Sequence, residues 1–178
     1  MEDLNNIKNI CGFYVSGVHL ITMILPYMKK QIENEVKIET FFEYNLKDNV
    51  NTVLENLIIN NEDREKILKI NWKNNKIQKY SLFEKKLKDL LDKNKEINIL
   101  ISGTKKYIND TNKMLNKFFE KNFNKLKHKY ISVINCYEVT EFDDNIREIL
   151  DMHKYILNTS GIHKVEDIFE DYKKKVAN

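Results

Sequence analysis

The feature that most constrains this chain is a repeated change of hydrophobic period. Short apolar, β-branched runs alternate with stretches whose apolar residues fall three and four apart. Residues 10–15 are apolar and aromatic, as in a buried strand. Ser16 and Gly17 then break the run and open a helix with Val18, Ile21, Leu25 and Met28 on one face. Pro26 falls inside that pattern, so the helix is expected to kink there or to restart with Pro26 in its first turn. Residues 36–44 read as a second strand, and Val50, Val53, Leu54, Leu57 and Ile58 as a second helix. Residues 67–72 alternate as a third strand does, after a short helical turn opened by Asn61.

Ser81 with Glu84 three residues on predicts a capping box for a helix over 82–92. Residues 97–102 are the clearest strand in the chain. They end at Gly103 and Thr104, where a long helix begins that carries Tyr107, Ile108, Met114, Leu115, Phe118, Phe119, Phe123 and Leu126. Residues 130–137 form a fifth strand, Asp143 or Asp144 caps a helix through Ile146, Ile149 and Leu150, and residues 155–157 add a sixth strand. Val165, Ile168, Phe169, Tyr172 and Val176 lie as an apolar seam on a final helix. Strand followed by helix, repeated in this way, requires crossover connections. The predicted fold class is therefore α/β, with a mostly parallel central sheet of five or six strands and helices on both faces.

The 178 residues fit one domain, placed at 1–160, followed by an amphipathic helix at 161–178 that either docks or serves as an output element. Only 4 glycines and 1 proline exclude collagen, flexible linkers and a turn-dense β-sandwich. Thirty basic residues against 27 acidic give a net charge of +3. Only Arg64 and Arg147 are arginine; nucleic-acid readers favour the bidentate guanidinium, so the lysines read as a solvated surface with no nucleic-acid partner. Met1-Glu2-Asp3-Leu4 lacks the basic opening of a secretory signal, and no apolar run is long enough to cross a bilayer. The expectation is a cytoplasmic protein with reduced thiols and no membrane partner.

No catalytic fingerprint is present. Neither strand–helix junction that contains a glycine has the glycine-rich turn that closes backbone amides around phosphate. The second of these, Ser-Gly-Thr-Lys-Lys, leaves room only for an anion at a helix N-terminus near Lys105. His19, His128, His153 and His163 have no metal-ligand spacing, and Cys11 and Cys136 both sit inside strands, where thiols pack rather than react. No cofactor or metal is expected. Open parallel sheets bind ligands beyond the carboxyl ends of their strands. The candidate ligand-binding residues there are Tyr14, Ser16, His19, Glu43, Trp72, Ser102, Gly103, Tyr137 and Glu138. Tyr14, Trp72 and Tyr137 are expected to wall one apolar pocket, which suits sensing a small molecule better than catalysis.

Asn9-Ile10-Cys11-Gly12-Phe13-Tyr14, the Pro26-Tyr27 pair within 20–32, the strand Ile131 to Tyr137 with its Cys-aromatic ending, and Asp151-Met152-His153 together resemble the MEDS (methanogen/methylotroph sensory) domain over residues 8–160. Asn9 and Lys154 depart from the family pattern, at positions where histidine and proline are common. The resemblance implies a degenerate RecA/KaiC-like fold, RecA/Rossmann-like in layout and without a phosphate loop. It implies a non-enzymatic, signal-sensing role that binds a small organic ligand or a protein. The regulated partner would be a bacterial signalling protein such as a histidine kinase, by analogy one of a two-component system in sporulation, with a homodimer through the C-terminal helix. The alternative is a stand-alone protein-interaction adaptor with no small ligand.

Overall fold

A computed structural model describes residues 6–75, 79–139 and 145–169. Six strands, β1 (Ile7–Tyr14), β2 (Lys37–Phe42), β3 (Glu96–Gly103), β4 (Tyr130–Glu138), β5 (Tyr155–Asn158) and β6 (Gly161–Lys164), form one sheet in the order β2-β3-β4-β1-β5-β6. All neighbours are parallel except the β5–β6 hairpin. The mostly parallel α/β sheet with helices on both faces is thus the Rossmann-like architecture expected.

The strands read as near-continuous apolar runs because both faces of a parallel sheet are covered. On one face, Ile10, Phe42, Leu100, Ile134, Cys136 and Leu157 pack beneath α1 (Gly17–Glu33), α2 (Lys47–Glu55) and α3 (Asn61–Leu68). On the other, Cys11, Phe41, Ile99, Ile101, Ile131 and Val133 pack beneath α4 (Tyr80–Lys93), α5 (Lys105–Lys121), the short α6 (Phe123–Leu126) and α7 (Asn145–Met152). The chain leaves β1 for the first face and β4 for the second. These adjacent strands therefore define the switch point, at the carboxyl edge where Tyr14 pairs with Glu138.

Several local expectations are corrected. Residues 67–72 are not a strand. The Asn60 side chain accepts from the Asp63 amide at 2.8 Å and Lys66 pairs with Glu62 at 2.6 Å, so α3 runs on to Leu68 with Ile67 buried beneath it. The following segment guards the outer edge of β2. There the Asn75 amide donates to Phe42 O at 2.8 Å, its side chain donates to Thr40 O at 2.7 Å, and Thr40 Oγ1 donates to Asn71 O at 2.6 Å. α4 begins at Tyr80 with Lys79 as its cap, so Ser81 and Glu84 make no capping box. The helix after Thr104 stops at Asn122, whose side chain donates to Phe118 O, and Phe123 and Leu126 belong to α6.

α1 continues through Pro26 as one helix. α2 ends at Glu55, which leaves Leu57 and Ile58 outside any helix and exposed. The division at residue 160 is also corrected: 161–164 is strand β6, paired with β5, and α8 (Val165–Ile168) is a single turn followed by an extended Phe169. The remainder of the amphipathic seam, Tyr172 and Val176, and the proposed caps Asp143 and Asp144 lie outside the described residues. Among the described residues no helix is long and apolar enough to cross a membrane.

Candidate functional site

The carboxyl edge of the sheet is closed by the protein's own polar groups. Ser102 Oγ donates to the Tyr14 hydroxyl at 3.0 Å, with both residues buried, and burial pushes the Tyr14 phenol well up. The Glu43 carboxylate accepts from the Thr104 backbone N–H at 2.6 Å, at the N-terminus of α5. Gly103 makes this possible. Its φ of +156° and its lack of a side chain admit Glu43, since a Cβ there would stand 2.5 Å from a Glu43 carboxylate oxygen and 2.6 Å from Glu43 Cβ. The anion seat anticipated at this turn is therefore filled by an internal carboxylate, and Lys105 is held by Glu148 at 2.5 Å.

Ser16 caps α1 by accepting from the His19 amide at 3.2 Å. The exposed His19 ring accepts from the Val15 amide through Nδ1 at 3.3 Å, closing the turn into α1. Glu138 sits at the end of β4, beside Tyr44. The Tyr44 phenol is raised by desolvation first and then by the Glu43 and Glu138 carboxylates. Tyr107 is pushed up to about 12 by burial and then by Glu43, and its hydroxyl donates to Asn75 O at 2.8 Å.

The three aromatic residues do not wall one pocket. Register sets Tyr14 opposite Glu138, so Tyr137 points to the other face of the sheet. Tyr137 packs there against Phe13 and His153, each with ring centroids 6.1 Å away. Trp72 is a satisfied core residue: it stacks on Phe42 at 5.7 Å and 12°, and its indole N–H donates to Ile67 O at 2.8 Å. Cys11 and Cys136 are both buried, on opposite faces. Burial raises Cys11 to about 12 and Cys136 further, which leaves both as packing thiols.

His153 ends α7. Its Nδ1–H donates to Ile149 O at 2.8 Å, which leaves Nε2 to accept from the Asn135 side chain at 3.4 Å; Asn135 Oδ1 in turn accepts from Asn112 at 3.1 Å. Burial lowers the pKa of this histidine. Among the described residues no group of three or more His, Cys, Asp or Glu is placed to hold a metal ion.

An open, largely apolar concavity lies on the α1 face. It is a groove of about 580 Å³ between α1, α2, the 56–59 segment and the β5–β6 turn. Its walls are Val18, Leu25 and Pro26 from α1, Val53 from α2, and Leu57, Ile58 and Ile59 beyond it. Thr22, Lys29, Thr52, Asn56 and Thr159 supply its few polar groups. None of these was among the strand-end candidates. The signal available in the sequence was the Leu57-Ile58-Ile59 run, too apolar for the solvent-facing connection it makes. No protein-family model matches the chain, and no curated protein matches it in sequence.

Proposed function

We propose that this protein is a non-enzymatic sensing domain that takes a small organic molecule into the groove between α1 and α2 and hands the bound state to a signalling partner. The observation that carries the reading is the groove itself. Its volume of about 580 Å³ falls in the range of small-molecule sites, and its lining is apolar with few polar groups. The strand-end crevice, where an α/β enzyme would work on its substrate, has Glu43, Tyr14 and Ser102 engaged with one another's elements instead. The signalling half of the proposal rests on the resemblance to the MEDS family, which implies a histidine kinase or a comparable regulatory protein as partner.

The test is binding of N-phenyl-1-naphthylamine, a neutral apolar fluorophore. We expect its emission to rise and shift to the blue on the wild-type protein, and to stay at the buffer value with Val18→Glu or Leu57→Glu. Both residues are more than 40% exposed, so neither change disturbs the core. Emission that rises equally with wild type and both variants would place the dye elsewhere and remove this reading. A stand-alone adaptor is the second reading, favoured by the full exposure of Ile58 and the exposure of Leu57 in the same groove. It predicts that no apolar probe binds.

A further inference from the structure

The polar groups of the groove are unbalanced in favour of acceptors. Thr22 Oγ1 already donates to Val18 O at 2.9 Å, and Thr52 Oγ1 donates to Asp48 O at 3.0 Å. Each hydroxyl therefore keeps only lone pairs to offer. Asn56 has given one amide hydrogen to Thr52 O at 2.8 Å. The C-terminus of α2, the negative end of its helix dipole, lies at the same space through Asn56, although the Thr52 and Val53 carbonyls already accept from Asn56 and the Leu54 carbonyl from Arg64.

Pro26 adds a further acceptor. A proline inside a helix has no N–H, so the bond that residue 26 would donate to the carbonyl of residue 22 cannot form. Residues four apart share a helix face, and both Thr22 and Pro26 line the groove. The Thr22 carbonyl is thus left without its helical donor on the face that walls the cavity. Lys29, the cation among the lining residues, lies 3.5 Å from Asp63 and 3.9 Å from Glu33. Its charge is already answered by two carboxylates.

From this we infer, building on the reading of the groove as a ligand site, that its ligand is a neutral apolar molecule bearing an O–H or N–H donor, an alcohol, phenol or amide, and that a carboxylate of the same size is discriminated against. The donor meets the Thr22 carbonyl while the apolar body lies against Val18, Leu25 and Leu57.

Three probes of one ring shape test the inference by calorimetry at pH 7: 1-naphthol, 1-methoxynaphthalene and 1-naphthoate. One hydrogen bond made in a partly open site corresponds to about 3- to 10-fold in affinity. We expect naphthol to bind tighter than methoxynaphthalene by that factor, and naphthoate to bind weakest. Pro26→Ala restores the missing N–H and ties up the Thr22 carbonyl, so it should bring the naphthol-to-methoxynaphthalene ratio close to one. Methoxynaphthalene or naphthoate binding as tightly as naphthol, or a ratio unchanged by Pro26→Ala, overturns the donor inference while leaving the groove as a site. Absence of binding by all three removes the groove reading and this inference with it.

Discussion

The carboxylate of Glu43 receives the backbone N–H of Thr104 at 2.6 Å, in the place where a phosphate-binding α/β protein would hold its anion. The space for it is the missing side chain of Gly103. An internal acid at a helix N-terminus both satisfies an orphan donor and answers the positive end of the helix dipole.

Removing that acid should free the site. Glu43→Ala is expected to lower stability by about 1.5–3 kcal/mol, the range for a hydrogen bond to a charged group. It should also create a sulfate dependence that the wild type lacks. Thermal melts in sulfate against chloride at equal ionic strength check this; equal responses from the two proteins would mean that Glu43 does not occupy an anion seat.

Gly103→Ala should be worse than an ordinary surface change. The added Cβ meets Glu43 within 2.6 Å at a φ of +156°, so either the strand end or the carboxylate must move. We expect a loss of more than about 1 kcal/mol in urea unfolding. Glu43→Ala relieves only the contact with the carboxylate oxygen and keeps the Cβ 2.6 Å away. Most of the steric part should therefore vanish only in a Glu43→Gly background, and a double-mutant cycle measures that coupling.

Trp72 belongs to the core, so its truncation should be read as packing. Trp72→Ala is expected to cost about 3–5 kcal/mol, with a fall in Tm of roughly 6–20 °C for a chain of this length. Naphthol bound in the groove should leave the tryptophan emission maximum unchanged. A shift of that maximum on binding would bring Trp72 back into the site.

The pH profile of stability should have two limbs. His153 has its pKa lowered from the ordinary 6.5 by burial, so the unfolded chain takes up a proton that the folded chain refuses. Its contribution is therefore present above pH 6.5 and lost as pH falls below it. At the other end, Cys11, Tyr27 and Tyr107 are raised to about 12 by burial, from ordinary values of 9.0 for the thiol and 10.0 for the phenols. Their contribution is complete below about pH 9 and is lost as pH climbs toward the folded values. Tm should be flat between about pH 7 and 9 and fall on both sides. His153→Gln should flatten the slope between pH 6.5 and 5 without touching the alkaline limb; an unchanged acid slope would rule out His153 as its source.

Much of the fold was legible because parallel strands buried on both faces carry an unbroken apolar signal, as in residues 97–102. Where the reading failed, a local bond outweighed the pattern. Leu68, Ile70 and Trp72 alternate as a strand would, yet the Asn60 cap and the Glu62–Lys66 pair hold the first part in a helix. The Asn71 and Asn75 bonds then spend the rest on the edge of β2. Tyr14, Ser102, Gly103, Tyr137 and Glu138 do lie at strand ends, whereas Trp72 follows a helix, and the three aromatic candidates do not share a face. Whether Tyr14 and Tyr137 face each other depends on a one-residue register between strands more than a hundred residues apart, which no local pattern contains. The groove was hidden for a different reason. Val18, Leu25 and Val53 look like any amphipathic helix face, and only the early stop of α2 leaves that face uncovered.

The position of β1 has a consequence for how the protein is made. Its neighbours are β4, with Ile7 opposite Ile131, and β5, with Cys11 opposite Ile156, so the first strand of this sheet to leave the ribosome is one whose partners arrive late. Until β4 has emerged, Ile10 and Cys11 have no sheet to join; α1 can shelter only Ile10 on its own face, while Cys11 on the opposite face waits for the later helices. Native pairing waits on loops of more than a hundred residues, whose closure entropy slows folding and lengthens the time that β1 stands as an open edge. A fragment released before β4 is complete would carry that edge into solution, where another copy of itself is the nearest available partner.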